Sequence, residues 1–157
     1  MNLARIGRVI FPRRLLVGLA AVVVAAFVIN PEDIFGAYDV IGVSLSLGMV
    51  LIGLTGRAWA GGHAGGHTRS GVIQAPQLVT AGPYAYVRNP IYLASIILGL
   101  GMVGLLGDAR LLVLHAGVFA FLYLTVVPAE EQYLRQQFTA EYDHYSRHVR
   151  RFLPRLK

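Results

Sequence analysis

Four apolar stretches, residues 15–29, 40–54, 91–106 and 111–127, leave this chain little choice of fold. At 1.5 Å per residue the first spans roughly 22 Å, short of a hydrocarbon core of about 30 Å, and snorkelling by Arg13 and Arg14 makes up the difference. In hydrocarbon every backbone N–H and C=O must be satisfied within its own segment, so such stretches fold as helices. Hydrophobic residues make up 55% of the 157, too many for an ordinary soluble domain of this size. The expected fold is an all-α integral membrane protein, one domain over 1–157, with about four transmembrane helices and an amphipathic C-terminal tail over 128–157.

Charge sets the expected topology. Thirteen of the 14 Lys and Arg residues fall on the N-terminal arm, the 55–90 segment and the tail, and only Arg110 falls opposite. The positive-inside rule then puts both termini in the cytoplasm, in a multi-pass protein. Topology also accounts for the net charge of +6, so nucleic acid is not an expected partner; the bilayer is. The apolar run near the N-terminus continues through Ile29 with no small-residue cleavage site, which argues against a signal peptide. With no cysteine the chain has no disulfide, no thiolate metal site and no cysteine nucleophile.

The first span ends at Asn30-Pro31, before a loop made acidic by Glu32, Asp33 and Asp39. The second carries Gly42, Ser44, Ser46 and Gly48, small residues that let helices approach closely. Arg57 and Trp59 close it as interfacial residues, and a polar, glycine-rich stretch runs from Gly61 to Gln77. The third and fourth spans form a hairpin about Gly107-Asp108 that sets Arg88 opposite Ala129 and Glu130. Packed helices lie about 8 to 10 Å apart, so side chains from the two ends can share one small ligand. In the tail, Leu134, Phe138, Tyr142, Tyr145, Val149 and Phe152 recur at steps of three and four, one apolar stripe among arginines. Such a helix can lie on a membrane or fold back over a site.

The segment Leu78–Tyr92, LVTAGPYAYVRNPIY, concentrates chemistry at the start of the third span. Gly82-Pro83 signals a turn, and Asn89-Pro90 a helix opening with Asn as N-cap. A plain connector needs neither Arg88 nor the tyrosines 84, 86 and 92. The ordered set Gly82, Tyr84, Arg88, Pro90, Tyr92, Glu130, Glu131, Phe138, Tyr142 and Tyr145 resembles the isoprenylcysteine carboxyl methyltransferase and phospholipid methyltransferase superfamily of membrane enzymes. The resemblance covers roughly 57–154. Asn89 stands where that family commonly has His, and Thr139 where it commonly has Gly.

That resemblance implies S-adenosylmethionine as cofactor, held by the loop 57–90 and a glutamate of the pair. Gln77, Leu78, Val79, Gly82, Tyr84, Arg88, Asn89, Pro90, Tyr92, Glu130 and Glu131 are the expected cofactor residues, with Arg88, Glu130 and Glu131 catalytic. The chemistry agrees: the cofactor's carboxylate suits Arg88 or free helix N–H groups, its ammonium or ribose hydroxyls a glutamate, and its sulfonium a tyrosine face. The expected acceptor is a membrane lipid, leaning to a phospholipid amine, because Thr125-Val126-Val127-Pro128 lacks the basic residue that isoprenylcysteine members place before the glutamates. Isoprenylcysteine or another small lipid or thiol, a sterol-type reductase using NADPH, and a non-catalytic membrane subunit are the alternatives. No metal site is expected: His63 and His67 have no third ligand nearby, His115 suits an interhelical contact, and His144 and His148 sit on the tail helix, where a proton-accepting role has no support from the sequence.

Overall fold

A computed structural model of the chain describes residues 40–65 and 75–154, together with Val24 and Phe27. The expected first span, the acidic loop after it and His67 lie outside these residues, apart from those two positions. Three α-helices and one 3₁₀ turn, with no strand, make up the described part: α1 (Val40–Ala64), the turn Gly82–Ala85, α2 (Pro90–Leu106) and α3 (Ala109–His148). The protein is all-helical and membrane-embedded: α1 and α3 are each long and apolar enough to cross a bilayer, and α2 is apolar and shorter.

The apolar run of α1 ends at Leu54, but the helix continues to Ala64. Thr55 turns its hydroxyl back onto the Leu51 carbonyl (2.8 Å), so this polar residue does not compete with the helix. Gly61, Gly62 and His63, expected in a loop, are helical; Gly65, at φ 72°, is where the left-handed turn comes. Two close approaches join α1 to α2. A Cβ on Gly53 would stand 2.6 Å from the backbone N of Leu98, and one on Gly101 would stand 2.7 Å from the Ser46 carbonyl oxygen. Glycine at these two positions lets the backbones meet. Arg57 also hydrogen-bonds Ser95 of α2, which donates in turn to the Ile91 carbonyl.

Between α2 and α3 the chain reverses within two residues. Gly107 adopts φ 67° and ends α2, and Asp108 caps α3 by accepting from the Arg110 N–H at 2.9 Å. The same carboxylate takes the Arg110 guanidinium, which holds its pKa below the usual range. The apolar stretch and the tail, separate pieces by their composition, form one helix: α3 runs through both, across Pro128, for 40 residues. That is about 60 Å, twice a hydrocarbon core, so its second half stands clear of the membrane-spanning part.

The helix bends at Thr139, whose φ of 21° and ψ of −94° make it the one non-glycine residue at positive φ among those described. Beyond the bend Tyr142, Tyr145 and Val149 are buried against Leu78, Leu134 and Phe138. The tail stripe therefore packs on the chain itself. A β-branched residue is ill suited to this backbone, and relief of about 1 to 2 kcal/mol is expected from glycine. Thr139→Gly should raise the melting temperature of the detergent-solubilised protein, and Thr139→Val should not.

Candidate functional site

The mouth of the α2–α3 hairpin is built from three pieces of chain. The loop 75–89 reaches it through the 3₁₀ turn, which Gly82 opens at φ 59°. A side chain on Gly82 would run into the ring of His63, whose Nδ1 donates to the Trp59 carbonyl at 3.0 Å. The end of α1 thus sets the height of the loop. Pro83 and Val87 are buried, and Tyr145 donates its phenol proton to the Tyr84 carbonyl at 2.7 Å.

Asn89 and Pro90 take the expected first positions of α2, with one correction. The Asn89 side chain does not cap the helix. Instead the chain beyond α3 returns and supplies the acceptors: the Arg88 N–H donates to the Arg150 carbonyl (2.8 Å) and the Asn89 N–H to the Arg151 carbonyl (3.2 Å). These contacts pin the tail over the start of α2.

Glu131 lies at the centre. Its carboxylate receives the Arg151 guanidinium in a forked contact, Nε at 3.0 Å from both oxygens and Nη2 at 2.6 Å from one, with Arg88 Nη1 at 3.5 Å. The Glu131 and Arg88 side chains are 11% and 13% exposed, so the carboxylate and guanidinium share a site largely shut off from water. Arg88 Nη1 also reaches the Tyr142 hydroxyl at 3.5 Å, and Tyr142 is 1% exposed. Glu130 faces the other way and accepts from the Tyr92 hydroxyl at 3.1 Å.

Burial governs the tyrosines. It pushes the Tyr84 phenol up to about 12, with the Glu130 charge adding to it, and Tyr142 up to about 12, with Glu131 adding and Arg88 opposing. Tyr145 moves the same way for the same reason. All three stay protonated at neutral pH; the Tyr145 hydroxyl donates to the Tyr84 carbonyl, and the Tyr142 hydroxyl accepts from Arg88. The Glu131 carboxylate fixes Arg151 in its charged form.

Beside Glu130 an apolar groove of about 300 Å³ opens between the helices. Tyr92 and Ile96 of α2, Phe119, Tyr123 and Val127 of α3, and Phe152 of the tail line it. Tyr123 and Phe152 stack at 5.2 Å. Tyr92 belongs to both environments, its ring in the groove and its hydroxyl on Glu130.

Arg88, Asn89, Pro90, Tyr92, Glu130 and Glu131 thus come together, with Gly82 and Tyr84 carried in on the turn and Leu78 packed on the tyrosine cluster. Val79 is half-buried and Gln77 exposed, and neither joins these contacts. Arg151 and His63 belong to the site although no sequence motif marks them. Arg151 is one arginine among several flanking the tail stripe, and only its return to Glu131 sets it apart. The hairpin register sets Arg88 opposite Ala129 and Glu130, whereas Arg88 meets the next residue, Glu131.

An arginine, paired glutamates and tyrosines thus gather at the mouth of a membrane helical hairpin, with an apolar groove at its flank. The profile of the phospholipid methyltransferase family matches residues 47–141, and the chain belongs to that family. It is 31% identical over 114 residues to a nickel-cobalt-cadmium resistance protein of Alcaligenes xylosoxydans xylosoxydans and, at the same identity and length, to a cobalt-zinc-cadmium resistance protein of Cupriavidus metallidurans. Each alignment covers 71% of this chain and 50% of the relative, so the chain spans about half the length of the curated relatives it matches. No solved structure matches the chain.

Replacing Glu131 by Gln would leave the Arg88 and Arg151 guanidiniums without their anion. The expected loss is about 1.5 to 3 kcal/mol, the worth of hydrogen bonds to a charged group. Chemical denaturation of the detergent-solubilised protein should show it as a lower unfolding midpoint.

Proposed function

We propose that this chain is a membrane methyltransferase using S-adenosylmethionine, and that its acceptor is a bilayer lipid, a phospholipid amine of the phosphatidylethanolamine kind. The observation that carries the reading is a pair of buried donors. Among the described residues Arg88 Nε and Asn89 Nδ2 have no hydrogen-bond partner, and they sit on adjacent residues under the returning tail. Such orphans are costly unless something satisfies them, and two donors beside a guanidinium suit a carboxylate. The cofactor's amino-acid end offers one.

The residues therefore fit the cofactor. Arg88 and Asn89 would hold its carboxylate, and Glu130, oriented by Tyr92, would take its ammonium or ribose hydroxyls. When bound, it supplies a methyl group already activated by a sulfonium. The protein's share is then to bind, orient and exclude water. Arg151 and Glu131 close the polar mouth, while the apolar groove accepts hydrocarbon and keeps that side dry. Glu130 also lies where it can receive the proton that an amine gives up on methylation. The distribution of basic residues supports a cytoplasmic mouth, on the side where a polar cofactor is available.

The relatives' names favour a second reading, in which the chain contributes to resistance to divalent metals. The two are compatible if methylation alters the envelope that metals cross. Loss of metal tolerance in a strain carrying only a methylation-dead variant would join them.

Titration of the purified protein with S-adenosylhomocysteine tests the cofactor site. Arg88→Ala and Glu130→Ala are each expected to weaken binding roughly ten- to a hundredfold, the equivalent of one charge-assisted contact. NADPH should not bind, and unchanged affinity in both variants would refute the site. Ile96→Trp, which fills the groove, should abolish methyl transfer to lipid, monitored by mass spectrometry, and leave S-adenosylhomocysteine affinity as it was.

A further inference from the structure

Two tyrosines connect the apolar groove to charged groups. The Tyr92 ring lines the groove from α2, and its hydroxyl donates to the Glu130 carboxylate. The Tyr123 ring lines it from α3, stacked on Phe152 at 5.2 Å, and its hydroxyl accepts from the Arg151 guanidinium. Arg151 immediately precedes Phe152, so a positive group stands at the rim of the groove. Its Nε and Nη2 form the edge that takes Glu131, which leaves the Nη1 side directed away from that carboxylate. Among the described residues two guanidiniums share this one anion, so the cluster carries surplus positive charge. The Arg151 side chain is 41% exposed and that of Arg88 13%, so Arg151 is the one that an arriving anion can reach.

We propose that Arg151, propped by Tyr123, binds the phosphate of a bilayer glycerophospholipid whose hydrocarbon lies in the groove. This rests on the reading of the groove as the acceptor's place, and it adds the residue that selects a phosphorylated head group. A slot with a carboxylate behind one tyrosine and a guanidinium behind another has the polarity of a zwitterionic lipid. The groove itself favours hydrocarbon without regard to the head group, so discrimination between a phospholipid and its diacylglycerol falls to Arg151. A planar guanidinium suits the task, since one edge holds Glu131 while the remaining N–H groups donate to phosphate oxygens; the point charge of a lysine serves both poorly. Phosphate arriving from water would use the guanidinium and leave the adjoining groove empty, whereas a phospholipid uses both.

Native mass spectrometry of the detergent-solubilised full chain measures the bound lipid. The wild-type chain is expected to retain dioleoyl phosphatidylethanolamine and dioleoyl phosphatidylglycerol more tightly than dioleoylglycerol. Arg151→Gln should weaken both phospholipids roughly tenfold, the worth of one charge-assisted contact, and leave dioleoylglycerol as it was. Because Arg151 also holds Glu131, the variant is checked for native helicity by circular dichroism. Tyr123→Phe, which keeps the ring and the ion pair, should show a smaller loss in the same direction. Arg147→Gln, at an exposed arginine of α3, should change nothing. An undiminished preference for phospholipid over dioleoylglycerol in Arg151→Gln, or in Tyr123→Phe should Arg151→Gln fail to fold, overturns the proposal, as does an equal loss in Arg147→Gln. Phospholipid binding that depends on Arg151 in a chain that transfers no methyl group would sink the methyltransferase reading and leave this one standing; methyl transfer to lipid with no dependence on Arg151 would do the reverse.

Discussion

The Glu131 carboxylate is the contact on which the rest of the mouth depends. Arg88 comes from the loop before α2, Glu131 from α3 and Arg151 from the chain after it, so one buried anion ties together three segments far apart in sequence. Such a cluster contributes little net stability, because desolvation consumes most of the Coulombic gain. Its effect is on geometry: any arrangement that separates the three leaves a charge buried and unpaired. That penalty selects one register for the hairpin and one landing place for the tail. Glu131 turns most of its capacity toward Arg151, and among the described residues Arg88 Nε is left without an acceptor.

The neighbouring glutamates therefore do different work. Glu131 is spent on internal closure, whereas Glu130 looks toward Tyr92 and the groove. Successive residues on a helix point about 100° apart, so a Glu-Glu pair serves two compartments without further machinery. On one side lie the buried Arg88–Glu131 pair and Tyr142; on the other, an apolar groove between the helices. The bend at Thr139 turns the tail stripe inward onto Leu78 and Leu134.

Much of this is legible in the sequence, because hydrocarbon permits so few solutions. The apolar stretches announce helices; Asn89-Pro90 and Gly107-Asp108 mark where they begin and turn; the short hairpin brings Arg88 within one residue of its partner. The stripe from Leu134 to Val149 needs an apolar surface, and it has one. These signals are local, or depend on a tight turn that fixes the register of the next helix. The helical continuation to Ala64 and through Pro128 is not legible, since apolar runs report burial in lipid and backbone hydrogen bonding continues into water wherever no residue stops it.

What only the tertiary structure decided were contacts between segments with no register between them. That Glu131 rather than Glu130 meets Arg88, that Arg151 among the tail arginines closes the cluster, and that His63 sits against Gly82 all depend on how the loop 75–89 and the tail fold back. Sequence determined which groups had to find partners, because a buried charge or donor is costly anywhere. The packing decided which partners they found, because that choice rests on distances of a few ångströms set jointly by every helix in the bundle.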